Sequence, residues 1–250
     1  MKMEEVFQYT FKALTHKLGH NRARNCQPMW QRRLSADSEF CRAVVANGYL
    51  TEAQMQHAAS RYRLGKSRDG GVIFWQTGPR DTIYDGKIMY YRPDCHRDHE
   101  RHPQWVSSLL KCRFLQQFPD MAPWMPESYH CLFGLHLLAT TDKTIAVVEA
   151  EKTAVIMSEV KPDYVWMAAG GLFELTADKL FPLRHHRIVL LPDTDPDLRA
   201  YTRWYNVATE GRHKYDLDIT VSPLLELRAT PDQKRRKIDL VDFLFEHTEK

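Results

Sequence analysis

The chain has 250 residues, of which 43% are hydrophobic, and a formal net charge of +3 at pH 7. This length and composition allow one large hydrophobic core or two smaller ones and exclude a disordered chain. No apolar run approaches the roughly 20 residues that span a bilayer, and the N-terminus lacks the features of a signal peptide, so we expect a cytoplasmic protein without membrane contact. The five cysteines include no CxxC pair, which predicts neither a disulfide framework nor a zinc ribbon.

Charge is unevenly distributed along the chain. Residues 1–113 contain 19 Lys and Arg against 11 Asp and Glu, whereas residues 114–250 contain 16 against 21. A basic half followed by an acidic half suggests that one part binds a polyanion and the other a cation. The alternative is that both faces are simply solvated, and the charge pattern alone does not decide between them.

Residues 1–62 are predicted to form a helical N-terminal region. Apolar residues repeat with helical spacing across residues 7–18. Ser38 is a predicted cap of a short helix that ends at Asn47 and Gly48. Thr51 and Gln54 form the pattern of a capping box at the start of the next helix.

A basic segment lies within this region, where four arginines surround Trp30: Arg22, Arg24, Arg32 and Arg33. Guanidinium groups suit phosphates, and an aromatic ring suits a nucleobase, so the segment is a candidate for binding single-stranded nucleic acid. A solvated connector is an equally good interpretation of the same residues.

Residues 63–137 are predicted to form a β-rich subdomain. GGVIFWQ (70–76) and GKIMYYR (86–92) are the expected strands of an antiparallel hairpin or meander. Lys87 and Arg92, in the second of these stretches, are candidate phosphate ligands. The loop after it contains Cys95, His96, His99 and His102, but their spacing matches no familiar zinc motif, so we expect an exposed loop.

Strands and helices alternate from residue 138 to residue 250, which predicts a parallel sheet with helices on both faces. The expected strands are 144–150, 163–169, 187–192 and 216–222, and the last helix is capped by Asp239. The basic run KRRK (234–237) is predicted to lie in the connector before that helix, where it is free to bind phosphate.

Two of these strands end in carboxylates. TIAVVEAE (144–151) ends in Glu149 and Glu151, and RIVLLPDTDPD (187–197) ends in Asp193, Asp195 and Asp197. The carboxyl ends of parallel strands meet at one edge of a sheet, so we expect these acids to converge there. Such a cluster would repel itself unless a hard cation such as Mg²⁺ were bound. The alternative is that the acids are helix caps and solvated loop residues.

VVEAEKTA, followed by AAGG and then LLPDTDPD, resembles the Toprim domain shared by DnaG-type bacterial primases, phage primase-helicases, topoisomerases and OLD-family nucleases. The resemblance implies that Glu149, Asp193 and Asp195 are catalytic magnesium ligands and that Gly170 and Gly171 form the intervening turn. RYRLG, GGVIFW, DGKIMYYR, PQWVSS, LFGLHLL and KIDLVDFL resemble further segments of the bacterial primase core. The similarity covers roughly residues 60–247 and is typical of mobile-element proteins that lack a zinc-binding module.

This sequence also departs from the family pattern. Ala150 stands where primases usually have Gly, and Thr153 stands where many have an Asp that helps to bind metal. The closing acidic motif offers Asp239 and Asp242, which are three positions apart rather than two. The resemblance therefore implies a metal site of reduced negative charge.

The fold expected from the sequence is α/β, with a Toprim-like parallel sheet flanked by helices, preceded by a smaller β-rich subdomain and the helical region. The expected function is that of a primase-like nucleotidyltransferase in plasmid or mobile-element replication, with Mg²⁺ or Mn²⁺ as cofactor. Glu151 and Asp197 are further candidate metal ligands, and Lys152 is a candidate for phosphate. Single-stranded DNA or RNA, nucleotides and a helicase are the expected partners. A Toprim nuclease and a non-catalytic nucleic-acid-binding module are the alternatives.

Overall fold

A computed structural model of the chain describes residues 34–79, 83–117 and 130–246. The chain divides into two units, Met1–His130 and Cys131–Lys250. The boundary expected from the sequence, between residues 137 and 138, falls inside the second unit. The predicted helix over residues 7–18 and the basic segment with Arg22, Arg24, Arg32 and Arg33 lie outside the described residues.

Two helices begin the described part of the first unit, α1 (Glu39–Ala46) and α2 (Glu52–Arg61). Ser38 Oγ accepts a hydrogen bond from the backbone N–H of Cys41, at 3.2 Å. Thr51 and Gln54 form the complete capping box at the start of α2. Both predicted caps are therefore confirmed.

A four-stranded antiparallel sheet follows, formed by β1 (Gly65–Lys66), β2 (Val72–Thr77), β3 (Ile83–Met89) and β4 (Gln104–Trp105) in chain order. All six residues of β2 are buried. Gly86 pairs with Trp75 across β2 and β3, and a Cβ atom at Gly86 would lie 2.7 Å from the Trp75 ring. The predicted meander is confirmed, and helix α3 (Val106–Gln117) begins directly after β4.

The second unit contains a parallel sheet formed by β5 (Ile145–Val148), β6 (Val165–Ala168), β7 (Ile188–Leu191) and β8 (Ile219–Val221). The strand order is β6-β5-β7-β8, and every neighbouring pair is parallel. All residues of β5 and β6 are buried, as expected for strands that are covered on both faces. The parallel sheet predicted from the alternating pattern is confirmed.

Helices connect and cover these strands: a 3₁₀ helix (Leu135–Thr140), α4 (Glu151–Val160), α5 (Ala177–Leu180) with a 3₁₀ turn (Phe181–Leu183), α6 (Arg199–Tyr215), α7 (Leu224–Arg228), α8 (Pro231–Arg236) and α9 (Leu240–Glu246). Helix α4 packs against β5 and β6, α6 packs against β8, and α9 packs against α4. The KRRK run is not a connector as predicted, since its first three residues form the end of α8. Within the described ranges, no helix is long and apolar enough to cross a membrane.

Candidate functional site

The order of the strands places a topological switch point between β5 and β7. The chain passes from β5 to β6, which lies on one side of β5, and then returns to β7, which lies on the other side of β5. Ligands of open α/β sheets bind outside the carboxyl ends of the strands at such a point. Glu149 directly follows β5, and Asp193 follows β7 after one intervening proline.

Glu149 and Asp193 meet at this edge, as the sequence predicted. The backbone N–H of Asp193 donates a hydrogen bond to Glu149 Oε1, at 3.3 Å. Burial raises the pKa of Glu149 to about 7, and the nearby charges of Asp195 and Asp239 act in the same direction. Burial and the charge of Glu149 raise the pKa of Asp193 well above its ordinary value. The protein therefore leaves these two carboxylates under-compensated, so each favours a proton or a bound cation.

Asp195 performs a different task, because its carboxylate caps the start of α6. Its Oδ1 atom accepts from the N–H groups of Asp197 at 2.8 Å and Arg199 at 3.1 Å, and its Oδ2 atom accepts from that of Ala200 at 2.8 Å. Burial opposes ionisation, but these donors and the charge of Lys237 lower the pKa of Asp195. The helix-cap interpretation thus describes its contacts, and its role as a metal ligand stays a prediction.

Asp239 brings a further carboxylate to the same centre from the start of α9. It is 6% exposed, and its Oδ2 atom lies 3.1 Å from Lys152 Nζ. The same oxygen accepts a hydrogen bond of 2.7 Å from Thr153 Oγ1. Burial opposes ionisation, but the charge of Lys152 and these hydrogen bonds lower the pKa of Asp239. The sequence predicted Asp239 as a helix cap and as part of the closing acidic motif, but not among the candidate metal ligands.

Lys152 is therefore not the open phosphate ligand that the sequence predicted. Its side chain is 10% exposed, and its Nζ atom also lies 3.5 Å from Asp242 Oδ1. An ammonium group that is buried between two carboxylates is committed to them, because breaking such a pair leaves an uncompensated charge. Lys152 thus supplies part of the positive charge of the acidic centre.

The two remaining predicted acids, Glu151 and Asp197, lie at or next to the starts of helices α4 and α6. Glu151 is the first residue of α4 and is 2% exposed, a position at which the helix dipole favours a carboxylate. Asp197 is exposed, lies 3.3 Å from Arg199, and lines an open cleft of about 600 Å³. Their assignment as metal ligands has no support from this arrangement.

The predicted glycine turn lies beside Glu149. Gly170 has a φ of 94° and Gly171 a φ of 150°, which are values that favour glycine. The N–H of Gly170 donates to the Glu149 carbonyl oxygen, at 2.9 Å. The turn therefore fixes the backbone that carries the Glu149 carboxylate.

The carboxylates at this edge fit one particular mode of Mg²⁺ binding. Among the described residues, no group of three or more His, Cys, Asp or Glu side chains is arranged to hold a metal ion. Mg²⁺ is commonly bound through one or two carboxylates, while waters and substrate phosphates supply its other ligands. Glu149 and Asp193 suit that mode of binding, whereas a closed cage of protein carboxylates does not fit.

The candidate phosphate ligands of the first unit lie on and after β3. Lys87 is half-buried in β3, opposite Trp105 of β4. Arg92 is exposed and pairs with Asp94, at 2.9 Å. In the loop that follows, Cys95 is 1% exposed while His96 is exposed and lies 3.7 Å from Asp94. Apart from the buried Cys95, this arrangement agrees with the expected exposed loop.

Primase catalytic cores are among the solved structures with a similar fold. The DnaG primase catalytic domain bound to single-stranded DNA matches with a TM-score of 0.51 and 13% identity, covering 97% of this chain and 83% of that chain. The primase fragment of the bacteriophage T7 primase-helicase protein gives a TM-score of 0.47 and 15% identity over 83% of this chain and 70% of that chain. Another structure of the DnaG catalytic core gives a TM-score of 0.43 and 14% identity, covering 85% of this chain and 84% of that chain. At these identities the comparison shows the fold: α/β, with a parallel sheet flanked by helices.

Residues 38–194 match the model of a family described as a domain of unknown function, DUF6371, and the chain belongs to that family. The matched range includes both Glu149 and Asp193. Among curated proteins, none matches the sequence significantly.

Proposed function

We propose that the protein is a primase-like, Mg²⁺-dependent nucleotidyltransferase with a Toprim-type centre, active in the replication of a plasmid or other mobile element. The observation that carries the proposal is the Glu149–Asp193 pair at the switch point of the parallel sheet. Burial and the charges of neighbouring carboxylates raise the pKa of both carboxyls, and the charge of Lys152 offsets this only in part at Asp193. A divalent cation at this edge would relieve that repulsion and bring substrate phosphates to it.

Each residue of the centre has a separate part in this proposal. Glu149 and Asp193 hold the cation, and Asp195 fixes the loop after β7 by capping α6. Lys152 and Asp239 neutralise each other beside the pair. When bound, Mg²⁺ would orient the phosphates and offset the charge that develops during nucleotidyl transfer.

Single-stranded DNA or RNA and nucleotides are the proposed substrates. The fold shared with a DnaG domain that was solved with single-stranded DNA supports this choice, as does the positive balance of residues 1–113. Arg22, Arg24, Arg32 and Arg33, together with Lys87 and Arg92, are the proposed phosphate contacts. A helicase is proposed as a partner on the sequence resemblance alone.

A non-catalytic nucleic-acid-binding module is the second candidate, and one observation favours it. The ammonium of Lys152 lies between Asp239 and Asp242, and Thr153 stands where many primases have a metal-binding Asp. A fixed ammonium group there opposes the binding of a second cation nearby. The second candidate thus predicts nucleic-acid binding without turnover.

Incorporation of labelled nucleotides on single-stranded templates, with and without Mg²⁺ or Mn²⁺, tests the proposal. We expect metal-dependent incorporation by the wild type and a loss of roughly a hundredfold or more in Asp193→Asn, because the charge that holds the cation is removed. Asp163→Asn is the matched control, since Asp163 is exposed and precedes β6 at the opposite edge of the sheet.

The other outcomes of this assay separate the alternatives. Metal-dependent shortening of a labelled strand without incorporation would identify a nuclease. Binding of the template with neither incorporation nor cleavage, under every metal condition, would identify the non-catalytic module.

A further inference from the structure

Lys237 lies directly beside the acidic edge. The carbonyl oxygen of the next residue, Ile238, accepts a hydrogen bond from the N–H of Thr194, at 3.2 Å. Thr194 lies between Asp193 and Asp195, so this bond holds the end of α8 against the loop that carries both acids. The charge of Lys237 is also close enough to lower the pKa of Asp195.

Lys237 differs from the three other basic residues of the KRRK run. Lys234 Nζ lies 2.9 Å from a Glu226 carboxylate oxygen, while Arg235 and Arg236 pair with acids at 2.6 to 3.1 Å. Lys237 is exposed, and within the described parts of the chain its ammonium forms no ion pair. It is therefore a cation beside the acidic centre that is available to a ligand.

The backbone conformation of Lys237 is unusual for a lysine. With φ 55° and ψ 52°, it ends α8 in the left-handed region, where glycine is the commonest residue and asparagine the next. Glycine would adopt this left-handed conformation at least as readily as lysine does. The backbone conformation therefore gives no reason for a lysine at this position.

We propose that Lys237 binds a phosphate group of the substrate at the Glu149–Asp193 edge, with the triphosphate of an incoming nucleotide as the class of ligand. The inference rests on the proposed function, because it requires a phosphate-bearing substrate at that edge. A lysine ammonium binds phosphate as a point charge on a flexible stem. The backbone phosphates of a nucleic-acid strand share this chemistry, and the experiment distinguishes the two sources.

Lys237→Gly provides the test, because glycine removes the charge while it suits the left-handed backbone. We expect about tenfold weaker binding of inorganic pyrophosphate in Mg²⁺ by calorimetry, the size of effect expected when one charge-assisted contact is lost. The unfolding temperature should stay the same or rise. Lys237→Gln should weaken binding to a similar extent. Lys161→Gln, which removes an exposed lysine at the opposite edge of the sheet, should leave binding unchanged.

A single-stranded oligonucleotide, followed by fluorescence anisotropy, serves as the second ligand. Weaker binding of pyrophosphate supports the nucleotide as the source of the phosphate, and weaker binding of the oligonucleotide alone supports the strand. Wild-type affinity of Lys237→Gly for both ligands would overturn the inference.

The failure of this inference can be told from the failure of the proposed function. If pyrophosphate binds to the wild type and binds weakly to Asp193→Asn, but binds normally to Lys237→Gly, only the role of Lys237 is lost. If the wild type binds neither ligand in Mg²⁺, the proposed function fails, and the role of Lys237 fails with it.

Discussion

Glu149 is a buried carboxyl group whose ionisation the folded protein opposes. Its pKa is raised to about 7 from an ordinary value of 4.5. Between pH 4.5 and pH 7 the folded protein therefore binds more protons at Glu149 than the unfolded chain does. The contribution of Glu149 to stability therefore falls as pH rises from about 4.5 to 7, and the full penalty is present above that range. Such a cost is expected at a site that is built to hold a cation.

The first prediction follows from this loss of stability with rising pH. Without divalent metal, Glu149→Gln should be more stable than the wild type at pH 8, by on the order of 2 kcal/mol, and the difference should shrink towards pH 5. Urea unfolding at several pH values measures this difference. Parallel pH profiles for the two proteins would contradict it. Mg²⁺ at pH 8 should stabilise the wild type and not the variant.

Thr153 is a position at which the contacts in the structure argue against a residue-by-residue transfer from the family pattern. The pattern suggests that an Asp at this position would restore a metal ligand. In the structure Thr153 is fully buried, and its hydroxyl donates to Asp239 Oδ2, at 2.7 Å. A carboxylate at this position would face Asp239 directly and would add a third negative charge beside Lys152, which already pairs with Asp239 and Asp242.

The second prediction is therefore that Thr153→Asp destabilises the protein by about 3 kcal/mol or more, whether or not Mg²⁺ is present, because it buries an unpaired charge. Thr153→Val, which loses one hydrogen bond and keeps the shape of the side chain, should cost only about 1 kcal/mol. Denaturant unfolding of both variants measures these costs. A metal-dependent gain in the stability of Thr153→Asp would show instead that the position can hold a second cation.

At the scale of single elements, local sequence signals predicted most of the helices and strands. The capping box at Thr51, the β-branched runs of β5 and β7, and the glycine turn at Gly170 all lie where they were expected. Short-range chemistry determines these features. Helix α8 was missed although its signal is present: Thr230 and Gln233 form a capping box, and Pro231 occupies the first turn.

The third prediction concerns the start of α6. Asp195→Ala removes the acceptor of three backbone N–H groups and should cost about 2 kcal/mol, at the upper end of the range for helix caps. Asp195→Asn keeps an acceptor oxygen and should cost less. If Asp195→Asn keeps the stability of the wild type but loses metal binding, Asp195 is a metal ligand as well as a helix cap. If Asp195→Asn and Asp195→Ala lose the same stability, the negative charge itself stabilises the start of α6.

At the scale of the whole chain, the convergence of Glu149 and Asp193 was predictable because it needs only two parallel neighbouring strands. The pairing of Lys152 and Thr153 with Asp239 was not, since these contacts join residues more than eighty positions apart through the packing of α9 against α4. No local pattern encodes such a contact. The assignment of Lys152 as a phosphate ligand failed for this reason, because it assumed a free side chain.

The most direct test of the proposed metal centre is the binding of Mn²⁺, followed by electron paramagnetic resonance at pH 8 without nucleotide. We expect one Mn²⁺ per chain in the wild type and at least about tenfold weaker binding in Asp193→Asn and Glu149→Gln, because each substitution removes one of the two proposed ligating carboxylates. Asp163→Asn should bind as the wild type does. Equal Mn²⁺ binding by the wild type and Asp193→Asn would contradict a metal centre at the Glu149–Asp193 pair.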